Sequence, residues 1–97
     1  MLTYVILMNL TEQGIKTIKE APKRLDAFEK TLEKAGGKLI GFYSVLGEYD
    51  YVAVAEIPTE DVGMSLLLSL GMLGNVRTKT LRAYPRQEFV KIVGKLQ

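Results

Sequence analysis

Few residues in this chain can do acid–base or nucleophilic chemistry, and their types narrow the options. Histidine and cysteine are both absent. That removes imidazole bases, thiol nucleophiles, thiolate zinc sites and disulfides together. Proton transfer would have to run on a carboxylate, a lysine or a tyrosine. Asp50 as base with Tyr43 as donor is the pair that could serve at the mouth of an apolar pocket. Asp50 and Glu56 face the same way on one strand, but they stand ~20 Å apart in an extended chain and cannot form a glycosidase-type pair. Glu60-Asp61 falls at a helix start, where acids are expected for the helix dipole, so no metal site is assigned and no cofactor is expected. Asn75, Arg77 and Lys79 open a strand. Cations at i, i+2 beside an open sheet face can hold a carboxylate or phosphate. The same charges would also protect an edge strand from aggregation.

The elements that position these residues follow from hydropathy patterning. Leu2 to Leu10 is rich in β-branched and aromatic residues and reads as a strand, apolar on both faces. Thr11 is a helix N-cap with Glu12 in the first turn, and Pro22 marks a restart or kink. Leu25, Phe28, Leu32 and Ala35 then form one apolar stripe, closed by the C-cap Gly36-Gly37. Lys38 to Leu46 and Tyr49 to Ile57 are strands, joined by Gly47-Glu48 as a two-residue type II′ hairpin. Pro58-Thr59 caps a second helix that runs to about Leu73 and stops at Gly74-Asn75. Asn75 to Tyr84 is a fourth strand, and Pro85 opens a last helix with Phe89, Ile92, Val93 and Leu96 on one face. The order β-α-β-β-α-β predicts an α+β, ferredoxin-like antiparallel sheet in the order 4-1-3-2, with two helices on one face and a further C-terminal helix. The 97 residues make one domain, 1–97.

Two features point to a homo-oligomer. Across an even-length hairpin loop, Ile40, Phe42, Ser44 and Leu46 share a face with Tyr49, Tyr51, Ala53 and Ala55. Small Ala53 and Ala55 give a helix room, so this is the expected helix side. The other face still presents Leu39, Val45, Val52 and Val54, an apolar patch that calls for a partner or a ligand unless the C-terminal helix folds back over it. The second helix carries Val62, Leu66, Leu70 and Leu73 on one side, and Met64, Leu68 and Met72 on the other. A helix apolar nearly all round needs burial nearly all round, which a second subunit supplies.

The small net charge of +2 gives no global argument for nucleic acid, yet it hides a segregation. Residues 39–76 hold five acidic and no basic groups, whereas residues 77–97 hold six basic and one acidic. Opposite signs at opposite sheet edges can steer subunits edge to edge, although ordinary solvated charge reads the same way. The lack of any Lys or Arg in residues 39–76 speaks against a membrane-surface helix, and the longest uncharged run, Val62 to Val76, is too short to span. With no basic n-region at Met1-Leu2-Thr3-Tyr4, a cytoplasmic protein is expected. RNA-recognition domains share the topology, but Gly47 and Glu48 stand where such domains carry basic and glycine positions, and Asp50 would repel phosphate.

The Gly47-Glu48-Tyr49-Asp50 turn resembles the signature of the GYD domain family. So do Thr3-Tyr4-Val5 with Asn9, Thr11-Glu12-Gln13-Gly14-Ile15 before Pro22-Lys23-Arg24, and Gly74-Asn75-Val76-Arg77-Thr78 with Leu81-Arg82-Ala83. The resemblance covers nearly the whole chain. It implies a ferredoxin-like domain of dimeric α/β-barrel type that associates through its sheet face, and it implies no established reaction. In the signature, Gly47 supplies a positive φ and Tyr49 staples the strand start to the helix layer. Asp50 accepts backbone N–H bonds or pairs with Arg77 or Lys79. The resulting expectation is a binding or interaction domain. Its sheet face, closed by a second copy, encloses a pocket lined by Tyr43, Asp50, Val52 and Val54, with Asn75, Arg77 and Lys79 nearby. The alternative is a cofactor-independent enzyme for a small polar or aromatic substrate with Asp50 as base; RNA binding is the third reading.

Overall fold

A computed structural model describes residues 1–97. The chain runs β1 (Leu2–Leu10), α1 (Glu12–Lys16), a 3-10 turn (Ile18–Glu20), α2 (Ala21–Lys34), β2 (Lys38–Ser44), β3 (Tyr51–Ile57), α3 (Glu60–Met72), β4 (Val76–Ala83) and α4 (Arg86–Gly94). The strands form one antiparallel sheet in the order β2-β3-β1-β4, the expected order read from the other edge. This is the ferredoxin-like arrangement.

Local chemistry sets the helix ends. Thr11 and Thr59 cap α1 and α3, their hydroxyls accepting from Gly14 N and Val62 N. Pro22 sits in the first turn of α2, where its missing N–H costs nothing. At the far end Gly36 takes a φ of +87°, and Gly37 N donates to Leu32 O at 2.9 Å, which satisfies carbonyls the helix leaves open.

Tyr4, Ile6, Met8, Ala53, Ala55 and Ile57 line the helix side of the sheet and meet Leu32 of α2 and Leu66 of α3. Ile6, Leu32 and Ile57 are the largest fully buried side chains, each contributing about 1.5–3 kcal/mol by leaving water. Ala53 and Ala55 are fully buried, as their small size anticipated. Gly63 serves the same purpose on α3: a Cβ there would lie 2.5 Å from Tyr4 Cε2, so only glycine lets the helix settle on that ring.

The β2–β3 connection departs from the expected two-residue turn. The strands end at Ser44 and resume at Tyr51, and Val45 N donates to Asp50 O at 2.9 Å across a loop of Leu46 to Tyr49. The cause is tertiary. Asn9 Nδ2 donates to Glu48 O (2.8 Å), Asp50 N to Met8 O (2.9 Å) and Leu10 N to Asp50 Oδ2 (2.8 Å), so the loop is held along the end of β1. Gly47 has the positive φ expected of it, +116°. The longer loop is still even in length, so Phe42 and Ser44 do face Ala53 and Tyr51.

Closer to the start of β2 the parity changes. Leu39 pairs with Ala55 and Gly41 with Val54, which leaves Ile40 as the extra residue of a bulge. Leu39 therefore turns to the helix side and packs on the core, and Ile40 is exposed, the reverse of the expected assignment. Nor does α4 fold back over the sheet: it has no buried residue and no extensive packing with any other element. The molecule is correspondingly long, 53 × 31 × 18 Å.

Candidate functional site

The sheet face away from α2 and α3 is built by the residues that alternate with the core. Register fixes its rows. Tyr43, Val52, Leu7 and Lys79 lie side by side across all four strands, and the next row is Gly41, Val54, Val5 and Leu81. The centre is apolar, Tyr43 stands at the β2 edge, and Arg77 and Lys79 stand exposed on β4 at the other. Tyr43 is 60% exposed, and its ring lies back over Gly41, where a Cβ would come within 3.2 Å of Cε2. Glycine at the edge strand thus gives the ring its resting place.

Of the residues singled out from sequence, Tyr43, Val52, Val54, Arg77 and Lys79 share this face. Three strand spacings separate Tyr43 from Lys79, roughly 14 Å, so one extended ligand could touch both but a single small group could not. Asn75 lies elsewhere: its Oδ1 accepts from Gln13 Nε2 (2.9 Å), and its carbonyl accepts from Thr11 N (3.0 Å) at the start of α1. Asp50 has taken the first of its two expected roles, with its Oδ2 completing the β1 ladder at Leu10 N. Neither Arg77 nor Lys79 forms an ion pair with it; the ion pairs are Lys16–Glu12 and Lys23–Glu20, both within local helical turns.

Tyr49 is a correction. Its ring lies 5.9 Å from Lys79 Nζ, on the open side of the sheet, so it does not staple the hairpin to the helices. Tyr51 holds that position instead, with its ring centroid 5.0 Å from that of Phe42 among the residues packed on the core. Val5, Leu7 and Leu81 were not singled out, although the alternation along β1 and β4 carries the signal once the sheet order is known.

A cavity lies on the helix side. Between the start of α2 and the end of α3 opens a cleft of about 480 Å³, bounded by Leu25, Phe28, Phe42, Leu70 and Leu73 with Met8 on its floor. Ser69, Asn75 and Arg24 supply its polar rim, and the Arg24 guanidinium is turned to Thr17, donating to its carbonyl and hydroxyl. No sequence reading pointed to this cleft.

The GYD domain model matches residues 4–93. The chain belongs to the GYD domain family. It is 33% identical over 89 residues to the glutamine synthetase and cystathionine beta-lyase binding protein of Thermus thermophilus, covering 91% of this chain and 94% of that protein. Among solved structures it resembles the feast or famine regulatory protein of Mycobacterium tuberculosis in complex with L-methionine (TM-score 0.65, 23% identity). The leucine response regulatory protein of the same organism gives a TM-score of 0.63 at 23% identity. This GYD domain covers 86% and 84% of itself in those matches but spans only about half the length of either regulator, so the likeness is one of fold. A further solved structure, also from Thermus thermophilus, is 27% identical with a TM-score of 0.50, covering 89% of this chain and 100% of that one.

Proposed function

We propose that this GYD domain, residues 1–97 acting as one unit, is a homo-oligomeric binding domain without catalytic activity. Its open sheet face is closed by a second copy to leave a pocket between the two. One observation carries the reading: Val5, Leu7, Val52, Val54 and Leu81 form a continuous apolar patch across the sheet, with no element of the chain over it. Patches of that kind mark interaction sites. Tyr43 at one edge and Arg77 with Lys79 at the other give the pocket a hydrogen-bonding group and two cations, a set suited to a small molecule with an apolar body and a carboxylate or phosphate. The GYD relative named as binding two enzymes supports a protein partner for the assembled surface, and none of the residues proposed here needs to be a base.

The experiment is light scattering on Val54→Glu. Val54 lies at the middle of the patch, paired with Val5 and facing Gly41. A carboxylate forced into a closed apolar interface costs several kcal/mol, and each 1.4 kcal/mol is tenfold in association. The wild type is expected as an oligomer and the variant as a folded species of lower mass. An unchanged assembly in Val54→Glu would overturn the reading.

A further inference from the structure

The cleft between α2 and α3 and the helix α4 are two unsatisfied apolar surfaces on the same molecule, separate from the open sheet face. We propose that they satisfy one another between copies, with α4 of one chain seated in the α2/α3 cleft of another. Phe89, Ile92 and Val93 are spaced i, i+3, i+4 on α4, with Leu96 at i+7 just past its end, the anchor pattern by which an amphipathic helix lies in an apolar groove. Phe89 is 59% exposed and Ile92 is 47% exposed in their own chain, although they form the apolar side of the helix. The cleft has apolar walls on both sides, Leu25 and Phe28 from α2 and Leu70 and Leu73 from α3.

Geometry makes the second copy the occupant. The cleft opens where α2 begins and α3 ends, beside Asn75 and Val76, and α4 starts beyond the other end of β4. Seven residue steps of extended chain, roughly 23 Å, separate Val76 from Ala83. The link to α4 is only Tyr84-Pro85, and the proline ring fixes its own φ. α4 lies off the body of its own chain and leaves its own cleft open.

Charge favours the same pairing. The last turn of α3 carries no basic residue, so its negative dipole end is uncompensated by cations of that helix. α4 brings Arg86, one turn before Phe89 on the same side of the helix. The cation on the opposite wall, Arg24, is engaged by Thr17. The docking does not depend on the sheet-face pocket, and its test separates the two.

The test uses the full chain with p-benzoylphenylalanine in place of Phe89, mixed with an isotopically heavy chain so that inter-chain products are recognised by mass. Irradiation is expected to join position 89 to segments 21–34 or 66–76 of the other chain. Adding Ser69→Arg, an exposed position on the cleft rim, to the heavy chain should lower that product at least tenfold while the Val54-centred sheet contact persists. Products on the open face (residues 3–9 or 77–83), products within one chain only, no inter-chain product, or a yield indifferent to Ser69→Arg would each overturn the proposal. A small molecule found in the cleft without the cross-link would overturn it too.

Discussion

Asp50 is the residue on which a structural and a chemical reading of the signature turn diverge, and its substitution can be worked through. Its Oδ2 accepts from Leu10 N at 2.8 Å, two strand residues beyond the last regular β1–β3 pair, Met8 with Tyr51. The carboxylate thus stands in for a backbone carbonyl that the ladder no longer supplies. A hydrogen bond to a charged group is worth about 1.5–3 kcal/mol, and both partners here are only half-buried, so water recovers part of it. Asp50→Ala should cost about 1–2 kcal/mol. Asp50→Asn keeps an acceptor oxygen in the same place and should cost about half as much. At about 4–8 °C per kcal/mol for a domain of this size, the melting temperature should fall by roughly 4–16 °C for alanine and 2–8 °C for asparagine. The assay is thermal unfolding by circular dichroism at one fixed protein concentration, because association raises apparent stability. An alanine variant melting within a degree of wild type, or asparagine as damaging as alanine, would refute the structural role.

Two glycines of α3 should respond in opposite directions to the same change. Gly63→Ala drives a methyl against the buried Tyr4 ring and should lose about 1–2 kcal/mol, whereas Gly71→Ala, with nothing within 4 Å, should gain about 0.5–1 kcal/mol of helix preference; urea unfolding reads both signs. Replacing Arg77 and Lys79 together by alanine should leave stability within about 0.5 kcal/mol, since both are exposed, yet remove any thermal shift that small carboxylates or inorganic phosphate give the wild type. An equal shift in wild type and double variant would take these residues out of the binding face.

Much of the fold was legible because local and global signals agree. The stripe Leu25, Phe28, Leu32 is amphipathic at helical period, Gly36 ends that helix in the conformation glycine permits, and the strand and helix order leaves the observed sheet as the natural topology. The misreadings have tertiary causes. Nothing local lengthens the Leu46–Tyr49 loop; Asn9 bonded to Glu48 and Leu10 bonded to Asp50 hold it to β1 from some forty residues away in sequence. One bulge at Ile40 inverts the faces of Leu39 and Ile40, because side chains alternate with period two. Tyr49, freed from strand geometry by that loop, meets Lys79 instead of the helices. The sheet-face residues Tyr43, Val52 and Val54 came from alternation alone, but grouping Asn75 with Arg77 and Lys79 ignored that β4 begins only at Val76. The cleft was illegible for a different reason. Apolar stripes show which side of each helix turns inward, not whether two inward sides meet.

No helix in the chain is long and apolar enough to cross a membrane. The exposed Met64, Leu68 and Met72 of α3, with the open sheet face and α4, call for protein cover. Association of copies is the expected cover, and native mass spectrometry of gently purified wild-type protein tests it in one spectrum. A homo-oligomer at micromolar concentration is expected, with any retained small molecule visible as added mass on the assembly. A bare monomer under those conditions would contradict it.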